Sequence, residues 1–147
     1  MYDMSGWNPA NCNCLALRQA ARHVTQYYDQ QMAATGLRST QYSILSRLNR
    51  VGPMNINALA AAMVLDRTTL GRNIQPLERE GLIAIEPDPR DRRSKALHLT
   101  KSGKARLQQA KKCWEAAQRG FETNYGDARS AQMREMMRGV VATELVA

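Results

Sequence analysis

Histidine is nearly absent from this sequence, and cysteine and aromatic residues are scarce: 2 His, 3 Cys, 5 Tyr, 2 Trp and 1 Phe in 147 residues. Each scarcity excludes a class of protein. Cys12, Cys14 and Cys113 are too few, and odd in number, for a disulfide framework, and they fit reduced thiols in the cytosol. Cys12 and Cys14 form C-x-C, not the C-x-x-C of zinc or thioredoxin-like sites. With only His23 and His98 beside them, no metal-ligand spacing forms. No apolar run approaches the roughly 18 residues that a membrane helix needs. Residues 1–13 lack the basic-then-apolar pattern of a secretory signal. The chain therefore reads as cytoplasmic, with no membrane partner. It has no glycine-rich phosphate loop and no paired carboxylates in a recognisable cleft, so nothing supports an enzyme or a cofactor.

What is abundant is positive charge. Lys and Arg number 21 against 13 Asp and Glu, a formal net charge of +8. A domain this basic meets a polyanion, or is basic only for solubility. With 44% hydrophobic and 23% charged residues the chain can build a core and is not a disordered tail. Its length fits one domain, residues 1–147.

The order of local signals gives a fold class. Cys14, Leu17, Ala21, Val24 and Tyr28 share one face of a first helix over about residues 13–34, ended by Gly36. Ser39 or Thr40 is placed to cap a second helix over about 41–50, stopped by Gly52-Pro53. Asn57 is placed to cap a short third helix, 58–63, and Asp66 a fourth, closed by Gly81. Residues 82–86 and 95–100 alternate, and the Pro/Asp-rich stretch between them predicts a β-hairpin. Leu107, Ala110, Trp114, Ala117, Phe121 and Tyr125 mark a long fifth helix over about 102–125. A last helix, about 128–145, carries Met133, Met136, Met137, Val140, Val141 and Leu145. The class is mainly α (α+β): a winged helix-turn-helix at 37–100, with dimerisation helices at 1–36 and 101–147 that pack on a second copy.

Two segments carry chemistry suited to double-stranded DNA. In the fourth helix Leu70, Ile74 and Leu77 form the apolar face, and Arg67, Thr68, Thr69, Arg72, Asn73 and Gln75 the polar one. Arg suits guanine, Asn and Gln suit adenine, and Thr suits a phosphate or a thymine methyl. No acid lies between Asp66 and Glu78, whereas an ordinary solvated helix face is rich in Glu and Lys. Pro76 predicts a kink or a bend there, not the helix end, because Leu77 continues the pattern. The hairpin tip carries Arg90, Arg92 and Arg93, which can reach a phosphate or a narrow minor groove. Asp91 is expected to hold an arginine, Arg93, by a charge-assisted hydrogen bond. A nonspecific architectural DNA binder shares much of this charge and stays open as the alternative.

These residues resemble the multiple antibiotic resistance regulator (MarR) family of bacterial transcription factors. The match runs through Asp66-Arg67-x-Thr69-Leu70, Leu77-Glu78-x-x-Gly81-Leu82-Ile83, Asp88-Pro89-x-Asp91-Arg92-Arg93 and Leu99-Thr100-x-x-Gly103. It also takes in Tyr28-Asp29 and Gln41-Tyr42, and so extends over nearly the whole chain. The resemblance implies an obligate homodimer on a pseudo-palindromic operator, usually a repressor that a small ligand or an oxidant releases. It places Arg67, Thr69 and Arg72 at base- and phosphate-contacting positions and Asp91 and Arg93 at the wing pair.

Two switches are open. Cys14 lies near a helix start, where the dipole favours a thiolate, with Arg18 one turn on. Peroxide sensors of the family place a reactive cysteine there and a contacting tyrosine at Tyr28. Ser39 replaces their second tyrosine, and Cys113 does not match their resolving cysteine. A small buried thiol in a dimer interface is the other reading of Cys14. Alternatively Arg18, Arg22, His23, Tyr27 and Tyr28 supply a carboxylate clamp and ring faces for a small aromatic or phenolic acid.

Overall fold

The computed structural model describes residue 6 and residues 8–147. Among the described residues, six α-helices and one three-stranded antiparallel sheet form the frame. The first helix, α1 (Asn13–Met32), follows a 3-10 turn at Pro9–Asn11. The Cys12 sulfur caps it by accepting the Leu15 N–H at 3.4 Å. A second 3-10 turn, Ala33–Thr35, leads into Gly36, whose φ of 74° ends the segment as predicted.

The helix-turn-helix comprises α2 (Ser39–Val51), β1 (Met54–Asn55), α3 (Ile56–Met63) and α4 (Arg67–Arg79). Two caps differ from expectation. Ser39 and Thr40 do not cap α2. Arg38 takes the N-cap position and donates its N–H to Gln41 Oε1 at 2.9 Å. The Ser39 N–H donates to Asp29 Oδ1 at 2.7 Å, so a carboxylate on α1 satisfies an orphan amide of α2. At α3 the cap is Asn55, two residues before Asn57, and it accepts the Asn57 N–H at 2.7 Å. Asp66 caps α4 as expected. The helix runs unbroken through Pro76, whose missing N–H costs one bond to the exposed Arg72.

The wing is β2 (Ile83–Asp88) and β3 (Asp91–Leu99), with β3 central in the order β1-β3-β2. The strands reach further than the alternation predicted, leaving only Pro89 and Arg90 as the turn. Pro87 pairs with Lys95 and Asp88 with Asp91, so residues 92–94 bulge out of the ladder. The β1 pairing, Met54 with Leu97 and Asn55 with Ala96, had no signal in a two-residue segment.

Below this frame lies the core: Ile44, Leu45 and Leu48 of α2, Leu59 of α3, Leu70, Ile74 and Leu77 of α4, Leu97 of β3, and Met32 at the end of α1. Each such side chain contributes about 1.5–3 kcal/mol when fully buried.

The last two helices are α5 (Lys101–Tyr125) and α6 (Asp127–Ala142). Thr100 joins α5 to the wing and to α4. Its hydroxyl donates to the Gly81 carbonyl at 2.6 Å and accepts the Gly103 N–H at 3.0 Å. A β-carbon on Gly103 would overlap the Leu82 carbonyl and the Leu99 side chain. The predicted Leu99-Thr100-x-x-Gly103 pattern is thus a tight junction. α6 ends three residues before Leu145, and most of its apolar residues are uncovered: Met136 is 61% exposed and Val141 64%, while Met133 is half-buried. Leu17 on α1 is also exposed, as are Met137 and Val140.

Candidate nucleic-acid interface

The polar face of α4 begins at its cap. Asp66 Oδ1 accepts the Thr69 N–H at 2.7 Å, and Oδ2 accepts the Thr69 hydroxyl at 2.8 Å. The amide bond from Thr69, then its hydroxyl bond, hold the Asp66 carboxyl below the ordinary carboxylate value. Asn73 donates its side-chain N–H to the Thr69 carbonyl at 2.9 Å. Of the six polar residues expected to face DNA, Arg67, Thr68, Arg72 and Gln75 are exposed. Thr69 and Asn73 are half-buried and engaged within the helix. Among the described residues neither Arg67 nor Arg72 has a carboxylate within 4.0 Å. That face is cationic and unneutralised, while Leu70, Ile74 and Leu77 anchor its back.

Arg90, Arg92 and Arg93 stand exposed on the wing. Asp91 does not hold the Arg93 guanidinium: its Oδ1 accepts the Arg93 main-chain N–H at 3.1 Å. Asp88 does the same for Arg90 at 3.0 Å. Each aspartate shapes the backbone two residues on, as Asx turns do, and leaves the arginine head free. The two-residue turn brings Asp88 and Asp91 opposite each other, which gives both carboxylates amides to bind locally.

The α1 residues do not assemble into one site within the chain. Cys14 is exposed, and Tyr28 lies 14 residues on, about 21 Å along a helix. The Tyr28 hydroxyl instead donates to Gln118 Oε1 on α5. Gln118 donates to Glu122 Oε1 at 3.2 Å, and Arg134 of α6 approaches the same oxygen at 3.4 Å. Burial, then the charge of Glu122, raises the Tyr28 pKa above its ordinary value. His23 and Tyr27 line a cleft of about 480 Å³ with Phe121 and Tyr125. Tyr28 lines another, about 220 Å³, with Ser39 and Trp114. Arg18 and Arg22 line neither.

A third cleft was not foreseen. Tyr42 and Trp114 stack with centroids 6.1 Å apart and planes 14° apart. With Arg47, Arg50 and Met63 they line about 510 Å³ between α2, α3 and α5. Tyr42, Ser46 and Arg50 recur at four-residue spacing, but Trp114 is 72 positions from Tyr42, and nothing local links them.

Three helices (α2, α3 and α4), an antiparallel wing and a cationic α4 face with no acid from Arg67 to Leu77 define a winged-helix, DNA-binding transcriptional regulator. A MarR family model matches residues 37–95. The crystal structure of the Mycobacterium tuberculosis transcriptional regulator MosR in complex with DNA is 31% identical, with a TM-score of 0.77 over 92% of this chain and 100% of that one. The transcriptional activatory protein BadR of Rhodopseudomonas palustris is 34% identical over 98 residues, 65% of this chain and 56% of BadR. The HTH-type transcriptional repressor NicR of Pseudomonas putida is 34% identical over 91 residues, 62% of this chain and 58% of NicR. The matches thus span little more than half of those two curated relatives. The chain belongs to the MarR family. Among the described residues no helix is long and apolar enough to cross a membrane.

Proposed function

We propose that the chain acts as a homodimeric repressor of a pseudo-palindromic operator, released by a small aromatic acid. The exposed Arg67 and Arg72, with no acid on α4 before Glu78 and no carboxylate within 4.0 Å among the described residues, carry this reading. In it α4 enters the major groove, where Arg67, Thr68, Arg72 and Gln75 contact bases or phosphates. Arg90, Arg92 and Arg93 contact the minor groove or backbone. The uncovered Met136, Met137, Val140 and Val141 support a second copy packed on α6 and α1.

A footprint of the purified protein on DNA upstream of its own gene tests this directly. Two protected half-sites about one helical turn apart are expected. Affinity that falls steeply with salt but ignores sequence would leave the architectural alternative standing.

For release, the aromatic floor and arginine rim of the Tyr42–Trp114 cleft support an aromatic carboxylate better than the dispersed α1 residues do. Benzoate and 4-hydroxybenzoate that neither raise the melting temperature nor free DNA would remove this part. Oxidation of Cys14, which is exposed in the single chain, is kept as a second reading beside a thiol covered in the dimer interface. Peroxide release that persists in Cys14→Ser would exclude it.

A further inference from the structure

α4 contains one residue that nothing in the protein explains. Gly71 lies in the interior of the helix, where glycine costs roughly 0.5–1 kcal/mol against alanine. Its backbone is not left-handed, and a β-carbon built there meets nothing within 4 Å. The contrast with other glycines is direct. Gly36, Gly52, Gly81 and Gly126 take positive φ, and at Gly103 and Gly120 a β-carbon would overlap a neighbour. Gly6 and Gly139 share the condition of Gly71, but Gly6 lies before α1, outside any α-helix, and Gly139 sits on α6 among the uncovered apolar residues.

The position of Gly71 is informative. It is one turn after Arg67 and one turn before Gln75, so it shares their face. On that face it is half-buried between longer side chains. A β-carbon at Gly71 would stand in open space, so the bare backbone forms a notch only in the sense that it lies one methyl group lower than alanine would at the centre of the DNA-facing surface. In the major groove the group that projects from a base edge by one methyl is the methyl on C5 of thymine.

We infer that Gly71 is a specificity-determining residue: the α4 backbone at Gly71 receives a thymine methyl in each half-site. This rests on α4 being the groove-reading helix. The absent β-carbon is a recognition feature, and a larger residue would displace the helix from the base edge.

The test is a bump-and-hole experiment on selected DNA. Duplexes are enriched from a random pool with the wild-type protein. Each thymine of the enriched motif is then replaced in turn by deoxyuridine, which lacks only the methyl. Gly71→Ala is expected to fold with equal or higher melting temperature and to lose roughly ten-fold in affinity, the scale of a small overpacking. At one position per half-site, deoxyuridine should restore most of that loss to Gly71→Ala. The same replacement should cost the wild type about four-fold, the value of one buried methylene-sized group. Gly71→Ser should follow Gly71→Ala with a larger loss. Undiminished affinity of Gly71→Ala for the wild-type motif overturns the inference, and so does a loss that no deoxyuridine position rescues. If the wild type enriches no motif at all, the fault lies with the groove-reading role of α4. A wild-type motif with an indifferent Gly71→Ala removes only the notch.

Discussion

Substituting Gly103 by alanine tests the junction between α4, the wing and α5. Gly103 is buried, three residues after the Thr100 cap. A β-carbon there would overlap the Leu82 carbonyl, which belongs to the backbone, and the Leu99 side chain. The Leu99 side chain can rotate, but the Leu82 carbonyl is fixed by the Thr100 N–H, which donates to it at 3.1 Å. The first turn of α5 must therefore move. Forcing a methyl into a packed site costs about 1–3 kcal/mol. Against this stands up to about 1 kcal/mol of helix propensity gained on leaving glycine. Because the overlap is with backbone, the upper end of that cost applies, and the net is a loss of about 1–2 kcal/mol, or a fall of roughly 3–7 °C in melting temperature for a chain of this size. Calorimetry at fixed protein concentration reads it, because the proposed dimerisation would make the transition concentration-dependent. Gly71→Ala supplies the internal comparison: the same substitution, also in a helix, with a neutral or upward shift. A Gly103→Ala protein as stable as the wild type would refute the close-packed junction.

Three further outcomes follow from the same contacts. Replacing Asp66 by Asn removes the carboxylate that binds both Thr69 groups. Because the Asp66 pKa is lowered in the fold, its contribution is present above the ordinary carboxylate value and is lost as pH falls below it. The stability gap between wild type and Asp66→Asn should thus be clear at neutral pH and close on acidification in a pH-dependent melting series. Tyr28 has the opposite sign: its pKa is raised, so folding favours the neutral phenol. Wild-type stability should drop faster than that of Tyr28→Phe once pH passes about 10, the unperturbed tyrosine value. Changing Arg92 and Arg93 together to Gln should weaken binding to all sequences alike. It should also lower the slope of log affinity against log salt by about one per lost phosphate contact. Loss confined to one base position would mean that the wing reads sequence.

The sequence disclosed elements wherever one local rule dominated. Asp66 followed by an apolar three-four pattern was enough for α4, and Gly36 and Gly81 marked helix ends through a backbone requirement no other residue meets as readily. It failed where a partner distant in the chain decides. Ser39 resembles a cap, yet the carboxylate of Asp29, ten residues earlier, takes its amide, which leaves Arg38 as the cap residue. Asp91 next to arginines resembles an ion pair. The nearest donor is a main-chain N–H two residues on, and a local turn takes precedence over a long side chain with entropy to lose. The cationic face of α4 was legible because one helix carries it whole. The Tyr42–Trp114 stack was not, since its halves meet only after α5 has packed on α2.

These contacts also bear on how a signal from the helical flanks would reach DNA. The end of α4 is closed by Gly81, and Gly81's carbonyl accepts the hydroxyl of the residue that starts α5. The Leu82 N–H returns to the Leu77 carbonyl at 2.9 Å, which ties the same point to the buried side of α4. Farther along α5, Arg106 donates to the Thr35 carbonyl at 3.0 Å and so holds the link between α1 and α2. Gln118 engages Tyr28 of α1, and its neighbour Glu122 engages Arg134 of α6. One helix thus touches the C-terminal end of α4, the α1–α2 link and both flanking helices. Interiors packed this closely shift between discrete arrangements more readily than they deform. A ligand that rotates α5 in the Trp114 region would move Thr100 and Gly81 with it. The spacing of two α4 helices in a dimer would then change without any contact between ligand and DNA. By that logic Thr100→Val, which keeps the shape and removes the hydroxyl, should weaken the response to a releasing ligand more than it weakens DNA binding. Paired titrations of DNA and ligand would measure that difference, and equal losses in both would show that Thr100 only stabilises the fold.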